Sequence, residues 1–384
     1  MKKSKVPSAL SRRSFAGWMA ASALGAPAIV SAQSSNRIVL GQSAAFTGPA
    51  AQLGIQFNAG ATLFFDQVNA QGGVNGQKIS IARLDDGYEP DRCAANTERL
   101  IKDDVFALFG YIGTPTSLAA MPILTKAQVP FIAPFTGAMG LRDPFNRLAF
   151  HMRASYNDET ELIVRQLTHL GLNKVAVFHQ NDSYGKAGLD GVTKALADRK
   201  LKPVATGTVE RNSVDVAAAV KDIVASKPNA VVQISAYKSC AAFIREARKA
   251  GYGGTFYNVS FVGAQALSDE LGKEAAGIVV TQVVPSPFSA SKAISRDFHA
   301  AIAKSGGKVQ ANYSSMEGFM AARLFVEGLK KAGGRPTRES LIAGLEALQT
   351  FSLGGFNMSF DSSDHVATNF VEVSMLTGDG RVRV

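Results

Sequence analysis

Short apolar runs alternate with longer stretches of helical spacing along most of the chain. Residues 37–41 (RIVLG) form a β-branched apolar run, and in 55–68 the apolar positions recur at helical intervals. The alternation predicts strands at 78–84, 105–109 and 131–133 and helices at 91–101 and 117–127. It restarts near Asn173, where 174–178 (KVAVF) reads as a strand and 186–197 as a helix. Further strands are expected at 204–209, 230–234, 255–257 and 277–280, with helices between. Strands apolar on both faces and separated by helices indicate parallel sheets covered on both sides. The fold class expected is α/β, with two doubly wound parallel-sheet lobes.

Past Val284 the pattern changes. Pro285, Ser286 and Pro287 cannot continue a sheet interior, so the chain is expected to cross back to the first lobe there. Helices at 291–304, 313–332 and 338–347 follow, then short strands at 355–360, 370–376 and 381–384. The assignment is 36–156 with 286–355 for the first lobe, and 157–285 with 356–384 for the second.

The first residues read as an address. Lys2, Lys3 and Lys5 precede Ser11-Arg12-Arg13-Ser14-Phe15, an apolar stretch follows, and Ser31-Ala32 offers a small-residue cleavage site. Residues 1–32 are therefore expected to be a signal peptide removed after Ala32, and the paired arginines point to the twin-arginine route. The apolar run is too short to span a bilayer, which takes about 20 residues. The expected compartment is the periplasm. Five basic residues and no acidic one lie in this segment, so the net charge of +10 falls to +5 without it. With no clustered Lys or Arg, the chain has no nucleic-acid footprint. Two cysteines, Cys93 and Cys240, fall in different lobes and are expected as buried free thiols. The five histidines lack metal-ligand spacing, so neither metal nor cofactor is expected.

In open parallel sheets, ligands bind beyond the carboxyl ends of the strands. Four such loops carry polar or aromatic candidates. The first runs through Gly113, Thr114, Thr116 and Ser117, where Thr114 or Thr116 could cap a helix whose free N–H groups suit a carboxylate. The second holds Phe135, Thr136 and Gly137. The third, after the strand at 174–178, holds Tyr184. The fourth holds Tyr237, expected to face Tyr184. Catalytic patterns are missing: there is no nucleophile elbow, P-loop or dinucleotide fingerprint. His179 has no paired nucleophile and reads as a polar strand-end residue.

With these loops placed, the sequence resembles the leucine/isoleucine/valine-binding family of periplasmic receptors for ABC importers. The marks are Phe46-Thr47-Gly48-Pro49-Ala50 with Gly54, then Asn69-Ala70-Gln71-Gly72-Gly73-Val74-Asn75-Gly76, then Asp85-Asp86, and the stretch 181–185. The resemblance implies a type I periplasmic binding fold, a three-strand hinge and a small solute trapped between the lobes. It implies a non-enzymatic, monomeric receptor whose partner is an ABC-importer permease. It also implies a carboxylate held by Gly113-Thr114 and Phe135-Thr136-Gly137, with Tyr184 and Tyr237 covering the ligand from the other lobe. One departure matters. The family's amino-acid binders place an acid after the strand at 255–257, and here Phe261 stands near that position. Either Asp158 or Asp86 substitutes, or the ligand lacks an ammonium. The expected solute is a small carboxylate, an aromatic or aliphatic acid or an amino acid. A sensory module of the same fold and an exported α/β hydrolase are the competing classes.

Overall fold

The computed structural model describes residues 37–384, so the expected signal peptide lies outside the described residues. The first sheet holds β1 (Arg37–Ala44), β2 (Lys78–Asp85), β3 (Ala107–Phe109), β4 (Phe131–Ile132) and β5 (Ala149–Phe150) in the order β2-β1-β3-β4-β5. All four pairings are parallel. Helices α1 (Ala51–Ala70), α2 (Pro90–Lys102) and α3 (Thr114–Ala127) connect them. Parallel neighbours need crossover connections, which is why each strand is followed by a helix or long loop.

The second lobe opens with α4 (Tyr156–His169) and continues through β6 (Val175–Gln180), α5 (Ser183–Ala197), β7 (Thr206–Val209), α6 (Ala217–Ala225) and β8 (Ala230–Ile234). Then come α7 (Tyr237–Lys249), β9 (Thr255–Asn258), α8 (Ala264–Leu271) and β10 (Val279–Gln282). The chain returns to the first lobe for α9 (Ala293–Lys304), α10 (Tyr313–Ala332), α11 (Arg338–Glu346) and the small pair β11 (Phe351–Ser352) and β12 (Asn357–Met358). It ends in the second sheet with β13 (Glu372–Leu376) and β14 (Val382–Arg383), giving the order β14-β13-β10-β9-β8-β6-β7. The two last strands run antiparallel, an edge on an otherwise parallel sheet.

Three segments thus pass between the sheets, at 151–155, 283–292 and 368–371. The third passage falls later than the pattern suggested. Residues 357–367, assigned to the second lobe from sequence, pack on the first: His365 stacks on Phe150 at 3.8 Å, and Phe360 meets the same ring edge-on. Helix α4 was not drawn from apolar periodicity, yet its start is strongly marked. Ser155 accepts from Asp158 N, and Asp158 accepts from Ser155 N, a reciprocal cap. On the first lobe, α1 and α10 cross with their backbones touching. A Cβ at Gly318 would fall 1.9 Å from Phe57 O, so only glycine permits this approach. Cys93 on α2 and Cys240 on α7 are buried free thiols, and burial pushes both thiols up.

Candidate functional site

The carboxyl ends of the two sheets face each other, and their loops interlock. On the first lobe, the loops after β3 and β4 are stitched together: Gly113 N donates to Phe135 O at 3.2 Å, and Phe135 N to Tyr111 O at 2.8 Å. Gly113, at φ +100°, is the residue from which α3 starts, and no side chain caps that helix. The expected capping by Thr114 or Thr116 does not occur, because both already lie inside the first turn, on either side of Pro115. Thr116 Oγ1 instead donates back to the carbonyls of Ile112 and Gly113. Thr114 Oγ1 is 2.7 Å from Thr136 Oγ1, so the two candidate loops share one hydroxyl pair. Thr136 also accepts from Ala138 N, and Gly137 O accepts from Tyr156 N at 2.8 Å. Ser117, one position further along α3, is fully buried and its Oγ has no protein partner. An uncapped helix start beside buried hydroxyls is suited to an anion.

The facing wall is aromatic. Tyr184 is fully buried in the first turn of α5, and its hydroxyl has no protein partner. Its ring lies 5.4 Å from Tyr156 and 4.6 Å from Phe261. Phe261 in turn meets Phe135 and Tyr88 of the first lobe, each at 5.8 Å. The expected pairing of Tyr184 with Tyr237 is replaced by this cluster. Tyr237 opens α7 and is buried there, outside that cluster.

Behind these walls sit charged groups that sequence reading did not single out. Arg153, in the first passage, is buried, pairs with Glu317 of α10 at 3.0 Å and lies over the Phe135 ring at 4.1 Å. Burial works against its charge, but Glu317 and Glu159 outweigh that and hold it protonated. Glu159 of α4 is buried as well. It accepts from Ser260 N at 2.7 Å, Ser260 Oγ at 2.9 Å and Thr281 Oγ1, which fixes the turn that presents Phe261. Burial pushes its carboxyl up, against the pull of Arg153. Neither acid raised as a substitute ammonium partner is free. Asp158 is spent on the α4 cap, and Asp86 accepts from Ser43 Oγ at 2.7 Å and Tyr88 N at 2.8 Å. Burial raises Asp86 to about 6. His179 is half-buried with Nδ1 3.1 Å from Gln180 O. Among the described residues no His, Cys, Asp or Glu cluster could hold a metal ion.

A family model described as periplasmic binding protein matches residues 37–381. The chain is 27% identical over 296 residues to an amino acid binding protein of Pseudomonas aeruginosa, covering 74% of this chain and 78% of that one. It is 25% identical over 355 residues to Leu/Ile/Val-binding protein homolog 7 of Brucella suis biovar 1, covering 87% of each. Among solved structures, a possible leucine/isoleucine/valine-binding protein from Rhodopirellula baltica SH 1 superposes with a TM-score of 0.87 at 34% identity, over 90% of this chain and 95% of that one. These relatives are solute-binding proteins, and the family match over residues 37–381 runs through both sheets and all three passages. The chain belongs to the periplasmic binding protein family, in its type I, leucine/isoleucine/valine-binding form.

Proposed function

We propose that this chain is exported to the periplasm, traps a small carboxylate with an apolar body between its lobes, and delivers it to an ABC importer in the membrane. The observation that carries the reading is the contrast across the cleft. The uncapped start of α3, with Thr114, Thr136 and buried Ser117, offers donors to a carboxylate. Opposite stands Phe261, packed among Phe135, Tyr88 and Tyr184. A ligand ammonium beside Phe261 would lose its hydration without gaining a counter-charge, a cost of several kcal/mol. An aromatic or aliphatic acid meets the same surface without that cost.

The names of the relatives favour a second reading, a branched-chain or other amino acid. Thermal stabilisation separates the two, because a ligand at 100 times its Kd adds about 2.7 kcal/mol. Benzoate and isovalerate are expected to raise Tm and leucine to leave it nearly unchanged. A shift with leucine alone would support the amino-acid reading, and no shift with any of the three would remove the carboxylate assignment.

A further inference from the structure

Three consecutive residues of the loop after β2 each reach the second lobe. Gly87 O accepts from Asn212 Nδ2 at 3.0 Å. Tyr88 Oη accepts from Gln180 Nε2 at 3.3 Å, and its ring packs on Phe261. Glu89 accepts from Asn212 Nδ2 at 2.7 Å and from Arg211 Nη2 at 2.9 Å.

Both sides of this contact are held in place by their own lobe. Gly87 and Tyr88 have φ of +57° and +64°. For a tyrosine that region is rarely populated and persists only where the surroundings determine it. Here Asp86 Oδ1 accepts from Tyr88 N, while Asp85 Oδ1 accepts from Gly87 N, Phe46 N and Thr47 N. The Tyr88 ring lies directly against the start of α3: a Cβ at Gly113 would fall 2.2 Å from it. On the other lobe, Asn212 has φ +61°, a backbone that asparagine tolerates well, and Arg211 is anchored to Asp182 at 3.2 Å.

We propose that residues 87–89 form a clasp on the cleft: Tyr88 covers the α3 end, and the contacts of Glu89 with Arg211 and Asn212 set how slowly a bound solute leaves. The clasp rests on the reading that the lobes part to admit a solute. Arg211 and Asn212 are positioning residues, since they act by holding the lobes together. Asn212→Gly keeps the left-handed turn and removes the amide; Arg211→Gln removes the charge; Tyr88→Gly keeps the backbone and removes the cover.

Spin labels at Ile55→Cys and Val214→Cys, both exposed and on opposite lobes, report closure by their separation, while Cys93 and Cys240 are buried from the reagent. Distances are measured without solute and with saturating benzoate, and benzoate release is timed by stopped flow. Each variant is expected to shrink the short-distance population and to speed release about tenfold, the limb on which such changes fall. A wild-type chain that never populates the short distance, or variants that all keep its population and release rate, overturns the clasp. If benzoate fails to bind while the solute-free distances still respond to the variants, the clasp stands and the carboxylate reading falls.

Discussion

Helices α3 and α5 each follow a buried parallel strand, one in the first lobe and one in the second, yet their first turns are finished differently. α5 begins at Asp182, whose carboxylate accepts from Tyr184 N at 2.9 Å and Gly185 N at 3.4 Å. The protein supplies its own anion there. α3 begins at Gly113 with no side-chain cap. The first-turn N–H groups of a helix have no partner within it; on the second lobe Asp182 supplies an anion to them, and the start of α3 is where the proposed carboxylate would sit. The buried acids behind the walls differ in the same way. Glu317 answers a formal charge, Arg153, whereas Glu159 is satisfied mainly by hydroxyl and amide donors. The difference shows how one strand–turn–helix unit can make either a polar seat or a rigid apolar cover.

The comparison breaks most severely at the ion pair. Glu317→Ala leaves Arg153 buried and unpaired, and urea denaturation is expected to show a loss of about 3–5 kcal/mol. Glu159→Gln keeps the shape but forces one amide N–H toward donors, so its expected cost is about 1–3 kcal/mol, with loosening of Phe261 visible in amide exchange at 258–263. Removing the built-in anion by Asp182→Ala should cost about 1 kcal/mol as a lost cap, with the further loss of its contacts to Gln180 and Arg211.

A further test is a pH slope. Burial lifts Asp86 from 3.8 to about 6, so between those values the folded chain holds a proton that the unfolded chain has lost. Stability from this group is greatest below pH 3.8 and declines as pH rises to about 6, by at most about 1.4 kcal/mol per unit. Asp86→Asn, which can still accept from Tyr88 N, should flatten that decline in denaturation curves taken across the range.

Much of the scaffold was legible in the sequence because apolar periodicity reports burial directly. β6 and α5, and the pair α9 and α10, fall within a few residues of where the pattern put them. α4 was overlooked although Ser155 and Asp158 spell a capping box; its amphipathic face is diluted by Asn157, Asp158, Glu159 and Glu161. The third passage was misplaced because residues 357–367 are held by stacking on Phe150, a contact across some 200 positions. The strand-end rule picked out Thr114, Phe135, Thr136 and Tyr184, and the resemblance picked out Phe261; Thr114 pairs with Thr136, and Phe261 packs between Phe135 and Tyr184. Thr116 turned inward to backbone carbonyls, and the aromatic cluster around Phe261 forms without Tyr237. Tyr88 and Arg153 were missed for a common reason. Their partners, Phe261 and Glu317, lie far along the chain, and the left-handed backbone of Tyr88 has no signature in its residue type.

The most direct test of the anion seat is a calorimetric titration of benzoate against benzamide, which share shape and differ in charge, into the wild type and Thr114→Val. The account predicts benzoate binding with little or no benzamide binding, and a loss of about tenfold or more in benzoate affinity in Thr114→Val, which removes one hydrogen bond to a charged group. Equal binding of the two compounds, or a Thr114→Val chain that takes up benzoate as the wild type does, would contradict it.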